Sequence, residues 1–289
     1  MTSVVVWVGV DSHGPASAYV ATDSRFSWQA ARRVTTWDLG RKTFASARYP
    51  DVAAFWGDVL FPVVTLSQFF ANLDAGVVAA SVSSSEARFK ALEAALRISF
   101  EAVPASQQRP FTIVYVSRDG SGMSGVFKVR ALSWASGTTW TRDLLPLPST
   151  SAAVRLGGSG AGVTQLHLQS WTESTQGGTS RAVYSAFVDG LLSGSDTHSG
   201  GAPQIVGLYR IGSGRSYGTV VGNKRFLHGA PVMWAPIGDQ VEWRNELFER
   251  VSGDTRKRFP EALITFPQVR VRASVRSGAV KSACYRPVE

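Results

Sequence analysis

Apolar and polar positions along the chain alternate between two periods. Residues 4–10 form a near-continuous apolar run, rich in β-branched side chains and ended by Asp11, His13, Gly14 and Pro15. Such a run predicts a strand buried on both faces, then a turn. Residues 18–21 predict a second strand, which runs into Thr22-Asp23-Ser24-Arg25. Residues 35–38 and 42–45 predict a hairpin turning at Leu39-Gly40. Residues 52–56 predict a short strand that stops at Gly57-Asp58. The period then lengthens. A helix over about 60–73 accommodates Pro62 in its first turn and has Gly76 past its end. A second helix carries Phe89, Leu92, Leu96, Phe100 and Val103 on one face; Ser83 and Glu86 have capping-box spacing, and Pro104 stops it.

Strands return over 111–117 and 126–132, and a loop rich in Ser, Thr and Pro extends to about Ser151. A short strand at 154–156 enters Gly157-Gly158-Ser159-Gly160-Ala161-Gly162 and a helix with Val163, Leu166 and Trp171 on one side. Another helix starts near Ser180 and carries Val183, Phe187 and Leu191. Its end meets Gly194-Ser195-Asp196-Thr197-His198-Ser199-Gly200-Gly201, and strands over 204–210 and 217–221 close the pattern. Helices come in consecutive pairs instead of alternating with strands. This disfavours a doubly wound parallel sheet and predicts an α+β fold: antiparallel sheets with helix pairs on their outer faces, a four-layer αββα sandwich. The expected organisation is a domain over 1–232 and an extension over 233–289 packing on it. In the extension, residues 239–251 predict a helix ended by Gly253. Residues 268–276 predict a strand with Val269, Val271, Ala273 and Val275 on one face and Arg270, Arg272, Ser274 and Arg276 on the other.

The 289 residues are 44% hydrophobic and 18% charged, which excludes a disordered chain. A single cysteine, Cys284, leaves no internal disulfide and fits a reducing compartment. The first residues lack the pattern of a signal peptide, and no apolar run reaches the roughly 18 residues of a membrane span; a cytoplasmic location is expected. The four histidines have no metal-ligand spacing, so neither metal nor cofactor is expected. Gly212-Ser213-Gly214-Arg215 lacks the ending of a phosphate loop and reads as a hairpin turn. The formal charge of +9 allows an acidic partner. The arginine face of 268–276 could bind nucleic acid, but an edge strand protected by charge is the favoured reading.

The chain begins Met1-Thr2-Ser3. An initiator methionine before a small residue is usually trimmed, which leaves Thr2 with a hydroxyl and an α-amine, a nucleophile with its own base. Further on stand Asp23-Ser24-Arg25, Lys42, Gly57, Gly158-Ser159-Gly160 and Asp196-Thr197-His198-Ser199-Gly200-Gly201. With that order, residues 2–232 resemble a proteasome β subunit, or a bacterial relative among the N-terminal nucleophile hydrolases. The interval from Thr2 to Asp196 is longer than the family's, and the part beyond Val232 has no counterpart in it.

The resemblance implies a threonine-dependent peptidase in which Thr2 attacks a carbonyl and forms an acyl-enzyme, with no cofactor. It also implies that Lys42 lowers the affinity of the Thr2 amine for a proton and that Asp23 holds Lys42. Ser159, Asp196 and Ser199 orient the amine and shuttle its proton, and the Gly57 N–H faces the oxyanion. Removal of Met1 is a condition of that chemistry. The implied partners are a peptide or unfolded-protein substrate, further copies in a homo-oligomer such as a ring, and an ATPase unfoldase. Two alternatives stay open: an amidase acting on a non-peptide amide, and an inactive scaffold. In the latter, Asp23 and Lys42 are a plain ion pair, Ser159 caps its helix and Ser199 sits in a turn.

Overall fold

The β-branched run after Thr2 becomes an inner strand of the larger of two main sheets. The computed structural model describes residues 2–30, 33–78, 83–137, 139–233 and 240–260. In chain order, β1 (Ser3–Asp11) and β2 (Gly14–Thr22) precede a hairpin of β3 (Phe26–Ala30) and β4 (Arg33–Trp37), then β5 (Thr43–Ala45) and β6 (Asp51–Gly57). Helices α1 (Leu60–Asp74) and α2 (Ser85–Glu101) lead to β7 (Phe111–Asp119), β8 (Val126–Trp134), β9 (Thr141–Leu145) and β10 (Ala152–Gly158). Helices α3 (Ala161–Glu173) and α4 (Ser180–Leu192) precede β11 (Gln204–Tyr209), β12 (Arg215–Val221), β13 (Lys224–Leu227), β14 (Ala230–Pro231), β15 (Trp243–Arg244) and β16 (Arg250–Val251). The larger sheet runs β10-β1-β2-β11-β12-β13-β14, with β15 and β16 branching from β12; the other runs β5-β6-β7-β8-β9.

Strand alternation explains how one apolar run serves two cores. Val4, Val6 and Val8 meet Val52, Ala54, Val114, Val116 and Val129 of the other sheet. Val5 and Trp7 meet Val183, Phe187 and Leu191 of α4. On the far side, Ala53, Phe55, Ile113 and Tyr115 pack with Leu66, Phe69, Leu73, Phe89, Leu92 and Leu96 of α1 and α2. Each aliphatic side chain buried this way is worth about 1.5–3 kcal/mol. The described residues thus form a mixed α and β fold with four α-helices.

Several local expectations need correction. Residues 33–37 pair with 26–30 and not with 42–45, of which 43–45 pair with 52–54 instead. The cap of α2 is Ser84, whose side chain accepts from the Ala87 amide; Glu86 reaches Arg130 and Arg142 rather than closing a capping box with Ser83. The loop before Ser151 contains β9. In α3 only Thr164 is buried, and Leu166 is 66% exposed. This helix docks through small residues: a Cβ on Gly190 of α4 would lie 3.4 Å from the Thr164 backbone. That close approach turns Leu166 outward.

The largest correction concerns the extension. Residues 240–251 are not a helix; they supply β15, parallel to β12, and β16. The burial of Trp243, Phe248 and Val251 does not repeat at helical spacing. Trp243 lies against Gly218, where a Cβ would come within 2.3 Å of its ring. The Asn245 Oδ1 accepts the amides of Leu247 and Glu249, an Asx-type turn that replaces helical hydrogen bonds. Phe248 then joins Trp7, Tyr19 and Tyr184, with ring centroids 5.2–5.6 Å apart. Residues 240–260 are therefore built into the larger sheet and its core. The predicted strand over 268–276 lies outside the described residues.

Candidate active site

Sheet order brings four chain segments to one edge. Thr2 lies just before β1 and Asp23 just after β2, and Val4 pairs with Thr22. Gly158, at the end of β10, pairs with Ser3. Gln204, at the start of β11, pairs with Thr22, so the preceding 196–201 loop arrives at the same edge. Lys42, just before β5, comes from the other sheet.

Lys42 is fully buried. Its Nζ donates to Asp23 Oδ1 at 2.7 Å, to the Arg25 carbonyl at 2.5 Å and to Thr2 Oγ1 at 3.1 Å. An ammonium has three donors, and three acceptors surround it. Burial pushes the Lys42 pKa down, against the opposing pull of the Asp23 carboxylate. Asp23 is also fully buried and accepts three further bonds: from the Ser3 amide at 3.1 Å, the Arg25 amide at 3.1 Å and the Gly200 amide at 3.0 Å. The geometry puts Lys42 on the acceptor side of the Thr2 hydroxyl.

A second arm runs through hydroxyls. Ser3 Oγ donates to Ser199 Oγ at 2.9 Å, and Ser199 Oγ donates to Asp196 Oδ2 at 2.6 Å. Ser159 Oγ donates to the same oxygen at 2.7 Å. Partial burial would raise the Asp196 pKa, but these hydroxyls and the His198 amide outweigh it and hold the carboxyl below its ordinary range. Thr2, Asp23, Lys42, Ser159, Asp196 and Ser199 therefore belong to one continuous hydrogen-bonded set.

The glycines around Ser159 follow from crowding. Gly158 has φ +81°, and a Cβ there would lie 1.7 Å from the Thr2 carbonyl oxygen. A Cβ on Gly160 would lie 1.7 Å from Ser3 Oγ. Ser159 does not cap α3, whose N-cap is Gly160 with no side-chain bond; its hydroxyl is directed to Asp196. Ser199 does close a turn, since its amide reaches the Asp196 carbonyl at 3.2 Å. Gly57 ends β6 at φ +96°, and a Cβ there would meet the Pro110 carbonyl oxygen at 2.5 Å. Its neighbour Trp56 lies against Gly157, the partner of Val4.

Sequence reasoning missed Ser3, Asp38 and Gln204. Asp38 takes both Nε and Nη2 of Arg25 at 2.7 and 2.8 Å, fastening the β3–β4 hairpin to the site. Gln204 accepts the Lys42 amide at 3.1 Å and donates to the carbonyls of Asp23 and Gly40. A polar residue at the head of an apolar strand was the available signal for Gln204. Ser3 stands next to the proposed nucleophile, but its bond to Ser199 joins residues 196 positions apart.

Gly229 brings the β13–β14 turn against Ser24, Gly40 and Gln204. Beside it, His228 (φ +53°) has its pKa lowered to about 4, by burial and then by the Arg41 charge. Between about 4 and the ordinary 6.5 the unfolded chain binds the extra proton, so stability is lost as pH falls through this window. His228→Asn, which tolerates positive φ, should flatten that loss in denaturant titrations at pH 4.5 to 7, taken as roughly spanning the window.

No group of His, Cys, Asp or Glu among the described residues is arranged to hold a metal ion. No helix there is long and apolar enough to cross a membrane. No family model and no curated protein matches the chain. Among solved structures, the chain is similar to eukaryotic HslV from Trypanosoma brucei, at 10% identity and a TM-score of 0.43, over 71% of this chain and 99% of that one. At that TM-score the likeness carries no argument, and any functional reading of the site rests on its own geometry.

Proposed function

We propose that this chain is a threonine-dependent peptidase of proteasome type, a four-layer αββα sandwich with Thr2 as N-terminal nucleophile once Met1 is removed. The observation that carries the reading is the buried Lys42 Nζ, held between Asp23 Oδ1 at 2.7 Å and Thr2 Oγ1 at 3.1 Å. Thr2 Oγ1 attacks the substrate carbonyl while the Thr2 α-amine takes the hydroxyl proton and later returns it to the leaving amine. An ordinary α-amine titrates at about 7.7–8.0. A neighbouring ammonium disfavours a second positive charge, so Lys42 lowers that value toward neutrality. Lys42 also donates to the oxygen on which negative charge develops. Asp196, with Ser159 and Ser199, provides the anionic side of the amine's surroundings. Gly57 supplies an oxyanion N–H, a contribution typically worth roughly 2.7–4 kcal/mol. The reading extends to a cytoplasmic homo-oligomer and admits an ATPase unfoldase as partner, which sizing of the purified protein and reconstitution would test.

The direct test compares two preparations against a panel of peptide and non-peptide amides. Protein shown by mass and N-terminal sequencing to begin at Thr2 is expected to hydrolyse peptides; protein with Thr2 still blocked is expected to be inert. Equal activity of the two overturns the mechanism. Turnover of non-peptide amides alone overturns the peptidase assignment.

A further inference from the structure

A cavity of about 380 Å³ opens where β12, β15 and β16 meet, lined by residues outside the hydrogen-bonded set around Thr2. Its volume falls within the roughly 300–1,000 Å³ of small-molecule sites. Two of its wall residues are arginines whose guanidinium groups lie over aromatic rings. The Arg215 guanidinium carbon lies 5.2 Å from the Tyr209 ring centroid, and that of Arg250 lies 5.1 Å from the centroid of Phe259, itself a wall residue. A guanidinium carries its N–H donors in a rigid fork, the geometry that receives a carboxylate or phosphate bidentately. Arg250 makes no ion pair among the described residues. Among the described residues Arg215 pairs only with Glu242 at 3.9 Å, a carboxylate of the cavity wall that is already engaged by Arg244. Trp243 also lines the cavity, 2% exposed, and its indole N–H has no hydrogen-bond partner among the described residues.

We propose that this cavity binds a small aromatic or heteroaromatic anion, its phosphate or carboxylate on Arg215 and Arg250 and its ring against Phe259. Charge argues against residues 261–289 as the occupant. Residues 261–289 carry Arg270, Arg272, Arg276, Lys281 and Arg286 against only Glu261 and Glu289, so they do not complement a pair of arginines. The site is independent of the peptidase reading, because none of its residues belongs to the Thr2 set.

The test is calorimetric titration of the full chain with phenyl phosphate, adenosine monophosphate, inorganic phosphate and uncharged adenosine. Phenyl phosphate or adenosine monophosphate is expected to bind, inorganic phosphate about tenfold more weakly or worse, and adenosine not at all. Arg250→Met and Arg215→Met, both at exposed positions, are each expected to weaken binding about tenfold or more, in line with loss of a charge-assisted bond. Arg250→Lys should not restore it, and Thr2→Ala should leave it unchanged. No binding of any probe at millimolar concentration overturns the proposal. So does equal binding of adenosine, or binding that survives both arginine substitutions.

Discussion

Thr2→Ala is expected to abolish peptide hydrolysis while the protein stays folded. The loss should be about 10⁴-fold or more, the scale on which removal of a nucleophile acts when the rest of the site remains. Stability should fall by only about 1 kcal/mol, the usual scale for losing a side-chain hydrogen bond such as the one from Lys42. Thr2→Ser keeps hydroxyl and amine and is expected to retain measurable activity. Thermal melts beside kcat/KM separate the two effects. Full activity in Thr2→Ala would remove Thr2 from the mechanism.

Lys42→Met should lose both activity and stability. It leaves Asp23 fully buried with backbone amides but no countercharge. Removing one partner of a buried pair typically costs about 3–5 kcal/mol. Adding Asp23→Asn removes the stranded charge and should return much of that stability, a coupling that a double-mutant cycle measures. It should not return activity, since no ammonium then sits beside the Thr2 hydroxyl and amine. If Lys42 and Asp23 were only a structural pair, the double variant would regain turnover along with its melting temperature.

The two periods were legible because burial writes them directly: residues 4–10 are apolar throughout since β1 is covered on both faces. The α4 face of Val183, Phe187 and Leu191 was readable for the same reason. Reading failed where tertiary contact overrode local pattern. Trp243 sits against Gly218 and Phe248 against Trp7, contacts with residues that no window over 239–251 contains. In α3, a close Thr164–Gly190 approach, not the apolar stripe, chose the buried face. Pairing of residues 33–37 turned on which edge was available, which the hairpin signal at Leu39-Gly40 does not encode. For the site, Asp23, Lys42, Ser159, Asp196 and Ser199 were accessible through their order and motifs. Gln204 and Asp38 were not, since each acts through backbone groups or a second side chain brought near only by folding.

The central claim is that a single residue offers hydroxyl and amine together beside a buried lysine. The most direct measurement is tandem mass spectrometry of the protein after treatment with an electrophile that must close a ring onto both groups. One equivalent is predicted on Thr2 as the first residue, absent in Thr2→Ala and much slowed in Lys42→Met. A chain that stays unlabelled although it begins at Thr2, or a label that maps to any other residue, would contradict the account.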